Sequence, residues 1–282
     1  MSVHCRGDRE DGAMPVTMSE LTGDLAEETG TLRALLAGLD PAGWELATPA
    51  EGWAVRDQVS HLAYFDDAAI RSAVDPDGFT ADMQRTLTSG LTPDDIAARY
   101  RDLHPDDLLA WFDSSRAGLI KTFAALDPGK RVPWFGPPMS AASSVTARLM
   151  ETWAHGQDVA DALGVVREPT DRLRHVAHIG VRALPFSYAL RGLEAPEAPV
   201  RVELTAPTGD LWTWGPPDAA DVVRAPALDF CLLVTQRRHR DDLTLEVTGK
   251  VATEWTTIAQ AFAGAPGPGR APLPRESGFL SG

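Results

Sequence analysis

The N-terminal part of the chain contains four long segments in which apolar residues recur at helical spacing, and proline or glycine bounds each segment. The predicted helices cover residues 18–39, 54–74, 92–127 and 140–163. Pro105 marks a second start or a kink inside the third segment, and residues 132–138 (VPWFGPP) predict a rigid loop. Long helices joined by such loops predict a four-helix bundle.

The pattern changes beyond Pro169. Two alternating runs, Val200–Thr205 and Leu211–Trp214, flank a turn around Gly209 and predict a β-hairpin. The other predicted elements of this part are helices over 171–191, 226–234 and 251–262 and a strand over 243–247.

Together these elements predict an α+β fold with two domains. The four-helix bundle is expected over residues 16–168 and a small α+β domain over 169–264. Residues 1–15 are polar and lack periodicity, so we expect a disordered leader. Residues 265–282 form a tail rich in glycine and proline.

Charge and apolar patterning argue against two classes of partner. The 282 residues carry a formal net charge of −14, which opposes binding to nucleic acid. No apolar run approaches the ~18–20 residues that span a bilayer, so we expect no membrane partner and a soluble cytoplasmic protein.

Cys5 and Cys231 lie far apart, which excludes a cysteine-rich metal cluster. The oligomeric state is left open between monomer and homodimer.

Three side chains of the predicted bundle suit a divalent metal. Glu151 and His155 are four residues apart, so they lie on one helical face and can bind one ion together. His61 lies in another helix of the same bundle, and facing helices of bundles often build metal sites. Two histidines and one glutamate form the ligand set of an open catalytic zinc site. Nickel, iron or manganese would accept the same ligands.

A simpler interpretation exists for each of these residues. A glutamate and a histidine at this spacing often form a surface ion pair, and a single helical histidine is often a packing residue. The neighbours favour the metal interpretation, because Glu151 lies beside Leu149 and Trp153, and His61 lies beside Leu62. A carboxylate in such a setting is costly to bury unless it is paired or metal-bound.

Several motifs resemble those of the mycothiol-dependent maleylpyruvate isomerase family. They are WAVRDQVSHL at 53–62, VPWFGPPMS at 132–140, RLMETWAHGQDV at 148–159, LLVTQRRHR at 232–240 and WTTIAQAFAG at 255–264. The resemblance covers about residues 18–264 and implies a DinB-like metal-binding bundle, followed by the small α+β domain. It also implies that His61, Glu151 and His155 are the zinc ligands.

The same resemblance implies a thiol chemistry. Zinc would bind the sulfur of mycothiol as a cosubstrate and lower its pKa, so that the thiolate adds to, or is transferred to, a small electrophilic substrate. Isomerase and S-transferase reactions share this activation step. Arg237, Arg238 and Arg85 are candidates to hold substrate carboxylates, although each is equally well explained as surface charge. The second domain is expected to close over the bundle site.

Two other functions remain open from the residues alone. Zinc-bound water could serve a hydrolase or a lyase that uses no thiol. A metal-binding protein without turnover is the third hypothesis, because a fold does not establish an activity.

Other polar residues are weaker candidates. His104 precedes Pro105 and is better explained as a helix-boundary residue. His175 and His178 are three residues apart on a predicted helix and could bind a metal, but they do not form a complete ligand set. Asp158 is a candidate to hydrogen-bond the imidazole of His155. Trp53, Trp134 and Trp153 either line a pocket or belong to the core.

Overall fold

The computed structural model describes residues 17–267 and 269–274. The predicted leader over residues 1–15 and the end of the predicted tail, 275–282, therefore lie outside the described residues. The N-terminal part is helical: α1 Met18–Leu36, α2 Pro41–Trp44, α3 Val55–Val74, α4 Pro76–Thr88, α5 Pro93–Ala98, α6 Pro105–Ala124 and α7 Ala141–Leu163. The four long helices α1, α3, α6 and α7 confirm the predicted bundle.

Local sequence explains where these helices begin and end. Thr17 caps α1 in a reciprocal pair of hydrogen bonds with Glu20, which satisfies donors that the first helical turn leaves free. Gly164 ends α7 at a φ of +66°, a conformation that costs glycine little. Leu32, Val59, Phe112 and Val159, one from each long helix, are buried in a common cluster.

A buried ion network joins three of the helices. Asp66 of α3 accepts from the Arg116 guanidinium of α6 at 2.7 Å and from the Arg148 guanidinium of α7 at 2.9 Å. Arg148 also donates to the backbone carbonyl of Leu62 at 3.1 Å. A buried charge requires such partners, so this network restricts how α3 and α7 can be placed against each other.

The helix α4 was missed by the sequence analysis. The Asp75-Pro76-Asp77-Gly78 stretch was interpreted only as the end of the preceding helix. In the structure Asp75 accepts a hydrogen bond from the Gly78 amide, and Pro76 occupies the first turn of a new helix. A proline lacks the amide hydrogen that a first turn would leave unpaired, so the same residues end one helix and start another.

The proline-rich loop after α6 is held by a short strand pair. Strand β1, Arg131–Val132, pairs antiparallel with β2, Met139–Ser140, and residues 133–138 connect them. The predicted loop between α6 and α7 is thus confirmed, with a closed base that the sequence did not indicate.

The C-terminal part combines short helices with a mixed sheet. Its elements are α8 Leu173–Arg182, α9 Leu184–Ala189, β3 Val200–Thr205, β4 Leu211–Trp214, β5 Asp221–Pro226, α10 Ala227–Val234, a 3₁₀ turn Arg240–Asp242, β6 Glu246–Thr248 and α11 Lys250–Ile258. The strand order is β4-β3-β5-β6, with β3 parallel to β5 and the other neighbours antiparallel. The predicted hairpin of β3 and β4 and the α+β class are confirmed.

Three predictions for this part need correction. The helix predicted over 171–191 is broken after Arg182, because Pro185 lies in the first turn of α9 and has no amide hydrogen to continue α8. Strand β5 was not predicted. The strand predicted over 243–247 is shifted to β6, and the last predicted helix, 251–262, ends at Ile258.

One apolar cluster spans both parts of the chain. Leu21 of α1 and Leu149 of α7 belong to the same cluster as Val176 of α8 and Phe230 of α10. The buried Glu28 carboxylate of α1 adds a polar tie, since it binds the guanidinium groups of Arg167 and Arg172 beyond α7. The boundary at 168/169 falls between α7 and α8 and stays a prediction. Within the described ranges, no helix is long and apolar enough to cross a bilayer.

Candidate metal centre

The structure brings His61, Glu151 and His155 together. One ligand atom from each side chain lies within 4.8 Å of the other two. Glu151 Oε2 is 3.1 Å from His155 Nε2 and 3.7 Å from His61 Nε2. The two imidazole centroids are 4.4 Å apart. The carboxylate thus lies between the two rings, in the arrangement expected of three side chains that share one cation.

Helix packing explains this convergence. Glu151 and His155 are one turn apart on α7, and α3 packs along α7 with His61 on the facing side. The bond from Arg148 to the Leu62 carbonyl joins the residue after His61 to the turn before Glu151. The axial position of α3 on α7 is therefore held by buried polar groups and not by apolar contact alone.

The surroundings shift the pKa values of two of the three groups. Burial is the largest cause that lowers the pKa of His61, to about 4, and the neighbouring His155 adds to it. Burial alone would raise the pKa of Glu151, but hydrogen bonds from His155 and His61 lower it well below its ordinary value. At neutral pH the site therefore offers an ionised carboxylate and a neutral His61 imidazole, the protonation states that metal ligands require.

The second nitrogen of His155 faces a glutamine. His155 Nδ1 contacts Gln58 Oε1, and Gln58 comes from the first turns of α3. The sequence analysis proposed Asp158 for this role, and that prediction is wrong: the Asp158 carboxylate binds Arg237 and Arg270 instead. The signal for Gln58 was a polar residue three positions before His61, within an otherwise apolar helical face.

Aromatic rings lie against the two imidazoles of the centre. The Trp53 ring stacks on His155 at 5.9 Å and 17°, and Phe65 lies 4.6 Å from His61, both measured between centroids. Trp134 and Phe135 of the β1–β2 loop contact Phe65 in turn. Trp153 belongs to the apolar core and Trp134 packs against that core, while Trp53 lines a surface pocket.

The three predicted arginines lie in different surroundings. Arg237 binds Asp158 and donates to the Ala154 carbonyl, next to His155. Arg238 binds Asp161, further along α7. Arg85 of α4 is 70% exposed and pairs with Asp82 on its own helix. Their part in binding a substrate stays a prediction.

Three other histidines of the described residues have structural partners. His104 is the N-cap of α6 and accepts from the Asp106 amide, which confirms its interpretation as a boundary residue. His175 lies 2.7 Å from the Asp24 carboxylate of α1, an acid that its own sequence neighbourhood did not reveal. His178 contacts the indole nitrogen of Trp214.

The donor set fits a divalent metal. Two imidazoles and one carboxylate are the nitrogen and oxygen donors that such ions accept, and the His61 and His155 nitrogens nearest Glu151 Oε2 are both Nε2. The Glu151 side chain keeps 22% of its surface exposed, so the centre can be reached from solvent. Three protein ligands leave at least one coordination position for a further ligand.

Comparison with known proteins assigns the family. The model of the mycothiol maleylpyruvate isomerase N-terminal domain matches residues 25–160, which include all three candidate ligands. Residues 25–160 therefore belong to the mycothiol maleylpyruvate isomerase N-terminal domain family. A second model, described as wyosine base formation, matches residues 196–246.

Its relatives include proteins of Mycobacterium tuberculosis. The chain is 47% identical over 249 residues to the uncharacterized protein Rv0036c of strain H37Rv, covering 88% of this chain and 96% of that protein. The uncharacterized protein MT0041 of strain CDC 1551 matches equally. Crystal structures of the mycothiol-dependent maleylpyruvate isomerase, and of a histidine-to-alanine mutant of it, share the fold at a TM-score of 0.55 and 19% identity, covering 83% of this chain and 93% of theirs.

Proposed function

We propose that this protein is an enzyme that uses a divalent metal, zinc in the first instance, to activate mycothiol for addition or transfer to a small electrophile. The observation that carries the proposal is the convergence of His61, Glu151 and His155 on one point between α3 and α7. Family membership supports mycothiol as the cosubstrate, because the family model carries that name.

The bound metal would supply an open position at which the thiol sulfur binds as the thiolate. The residues of this chain have three tasks around it. His61 and His155 contribute neutral nitrogens and leave the charge of the cation largely intact, while Glu151 adds one negative charge. Trp53 and Phe65 cover the imidazole rings with apolar surface and exclude water from that side.

The geometry supports a thiol better than a zinc-bound water for one reason. The aromatic rings of Phe65, Trp134 and Phe135 form an apolar wall next to His61, which suits a polarizable sulfur and an organic electrophile. The isomerase and S-transferase reactions begin with the same thiolate and differ only in whether the electrophile loses a leaving group.

The test combines metal content with thiol binding. Purified protein is analysed for metal per chain, and its melting temperature is measured with and without mycothiol, in zinc-loaded and chelator-treated samples. We expect about one metal per chain and a stabilisation by mycothiol that requires the metal. Activity is then assayed with maleylpyruvate and with an alkylating electrophile.

Matched histidine variants make the result specific. We expect His155→Ala to lose the metal and the response to mycothiol. His104→Asn removes a histidine outside the centre, keeps an N-cap acceptor for α6, and should retain both properties. Metal binding without any effect of mycothiol would refute the thiol and favour a hydrolase, a lyase or a protein without turnover. Absence of metal after zinc loading would refute the centre itself.

A further inference from the structure

Gln58 is a buried polar side chain with few possible hydrogen-bonding arrangements. Its exposed fraction is 0%, and both ends of its amide have partners. The oxygen Oε1 faces His155 Nδ1, and the nitrogen Nε2 donates to Thr48 Oγ1 at 2.8 Å. A buried amide with a partner at each end is costly to rearrange.

The direction of these hydrogen bonds follows from a backbone carbonyl. The Trp53 carbonyl can only accept, and the Thr48 hydroxyl donates its single hydrogen to it at 2.9 Å. Thr48 Oγ1 must then act as an acceptor towards Gln58, so the NH₂ group of the amide faces Thr48. The amide oxygen is left to face His155, where it requires a donor.

We infer that Gln58 is a positioning residue of the metal centre: it holds a proton on Nδ1 of His155, so that Nε2, which faces Glu151 Oε2 at 3.1 Å, is the nitrogen left to bind the metal. This inference rests on the proposed function, because it takes His155 as a metal ligand. Outer partners of this kind orient a ligating histidine and select its tautomer.

The loop that carries Thr48 and Trp53 is rigid enough for this task. The Thr48 amide also donates to the Trp53 carbonyl at 2.8 Å, and Ala47 and Ala54 form a β-bridge across the same loop. The Trp53 indole nitrogen is held by Asp94 at 2.7 Å, while its ring stacks on His155. One short loop thus contacts the His155 ring directly and, through Gln58, determines where its proton lies.

The experiment measures zinc affinity by competition with a chromophoric chelator. Gln58→Met keeps the side-chain volume but removes the acceptor, and we expect zinc to bind ~10- to 100-fold more weakly. Gln58→Glu restores an oxygen acceptor for the Nδ1 hydrogen and should bind zinc within a few-fold of wild type. The control Gln157→Met alters another buried glutamine of the bundle, one that pairs with Asp161 and not with His155, and should leave the affinity unchanged.

A second readout reports the proton itself. In protein labelled with ¹⁵N-histidine, we expect the Nδ1 hydrogen of His155 to be visible and slow to exchange with solvent in both zinc-loaded and metal-free wild type. The same hydrogen should exchange much faster in Gln58→Met. If that variant fails to fold, Thr48→Val removes the acceptor for the amide together with the hydroxyl's bond to the Trp53 carbonyl, which still accepts from the Thr48 amide, and should shift zinc affinity and proton exchange in the same direction.

Two results would overturn the inference. One is a Gln58→Met protein that folds and binds zinc within about twofold of wild type. The other is a metal-free wild type in which His155 carries its proton on Nε2 and none on Nδ1. Failure of the proposed metal centre would look different from both results. Wild type would then bind no zinc, while the spectrum of the metal-free protein would still show which nitrogen of His155 carries a proton.

Discussion

Replacing Asp66 with asparagine tests whether the buried ion network holds the bundle together. Asp66 is 0% exposed, and the side chains of Arg116 and Arg148 are 3% and 4% exposed. The two guanidinium groups contact different carboxylate oxygens. Asp66→Asn keeps the shape but sets an NH₂ group against one guanidinium and leaves two buried positive charges without a counter-charge.

Removing one partner of a buried ion pair lowers the free energy of unfolding by about 3–5 kcal/mol. A single domain is stable by only ~5–15 kcal/mol, so this is a large share of the total. At ~2–4 °C per kcal/mol, the melting temperature should fall by roughly 6–20 °C. The assay is thermal and urea unfolding of chelator-treated protein, so that lost metal binding does not contribute.

An exposed ion pair on the same bundle provides the control. Arg33 and Asp113 lie 2.8 Å apart, but both side chains are at least one third exposed. Asp113→Asn should therefore cost no more than ~1 kcal/mol. A loss below ~1 kcal/mol for Asp66→Asn as well would show that the buried network contributes little, and the argument that it sets the α3–α7 alignment would fail.

Three further experiments test the packing: a pair of glycine substitutions, one substitution at a buried carboxylate, and alkylation of a buried thiol. Gly180→Ala places a methyl group 2.7 Å from a Val234 methyl carbon and should lower the free energy of unfolding by about 1–3 kcal/mol. The control, Gly23→Ala, meets no atom within 4 Å and should be neutral or raise the free energy of unfolding by up to ~1 kcal/mol. Equal effects of the two would contradict the packing of α8 on α10. Glu28→Gln should lower the free energy of unfolding, measured in urea, by about 3–5 kcal/mol, because the guanidinium groups of Arg167 and Arg172 lose a buried carboxylate. Burial raises the pKa of the Cys231 thiol well above its ordinary value, so peptide mapping should find it alkylated only after unfolding.

Helical periodicity was sufficient to predict the bundle, whereas the choice of its three candidate ligands also depended on the resemblance to the family. The four-residue spacing of Glu151 and His155 determines that they share a face of any helix. His61 could be added because its own segment is strongly periodic. The contact of His155 with Gln58 could not be predicted, since it depends on the axial position of α3 along α7, which is a tertiary property.

The errors have equally local causes. An aspartate followed by proline and glycine marks a helix end and a helix start equally well, so α4 was missed at Pro76. Strand β5, Asp221–Pro226, is as long as β3, but an aspartate occupies its first buried position and a proline its last position, so the apolar alternation is hidden. The acid beside His175 comes from α1, about 150 residues earlier in the chain, where no local pattern records it.

The shared apolar cluster also limits the large-scale motions open to this protein. A hinge at the end of α7 would have to pull Val176 and Phe230 away from the bundle side chains with which they are buried. It would also break the contacts of Glu28 with Arg172 and of Asp158 with Arg237. Rigid-body opening of the two halves would therefore carry a large cost, because it would expose apolar side chains that are now fully buried and leave buried carboxylates without their guanidinium partners.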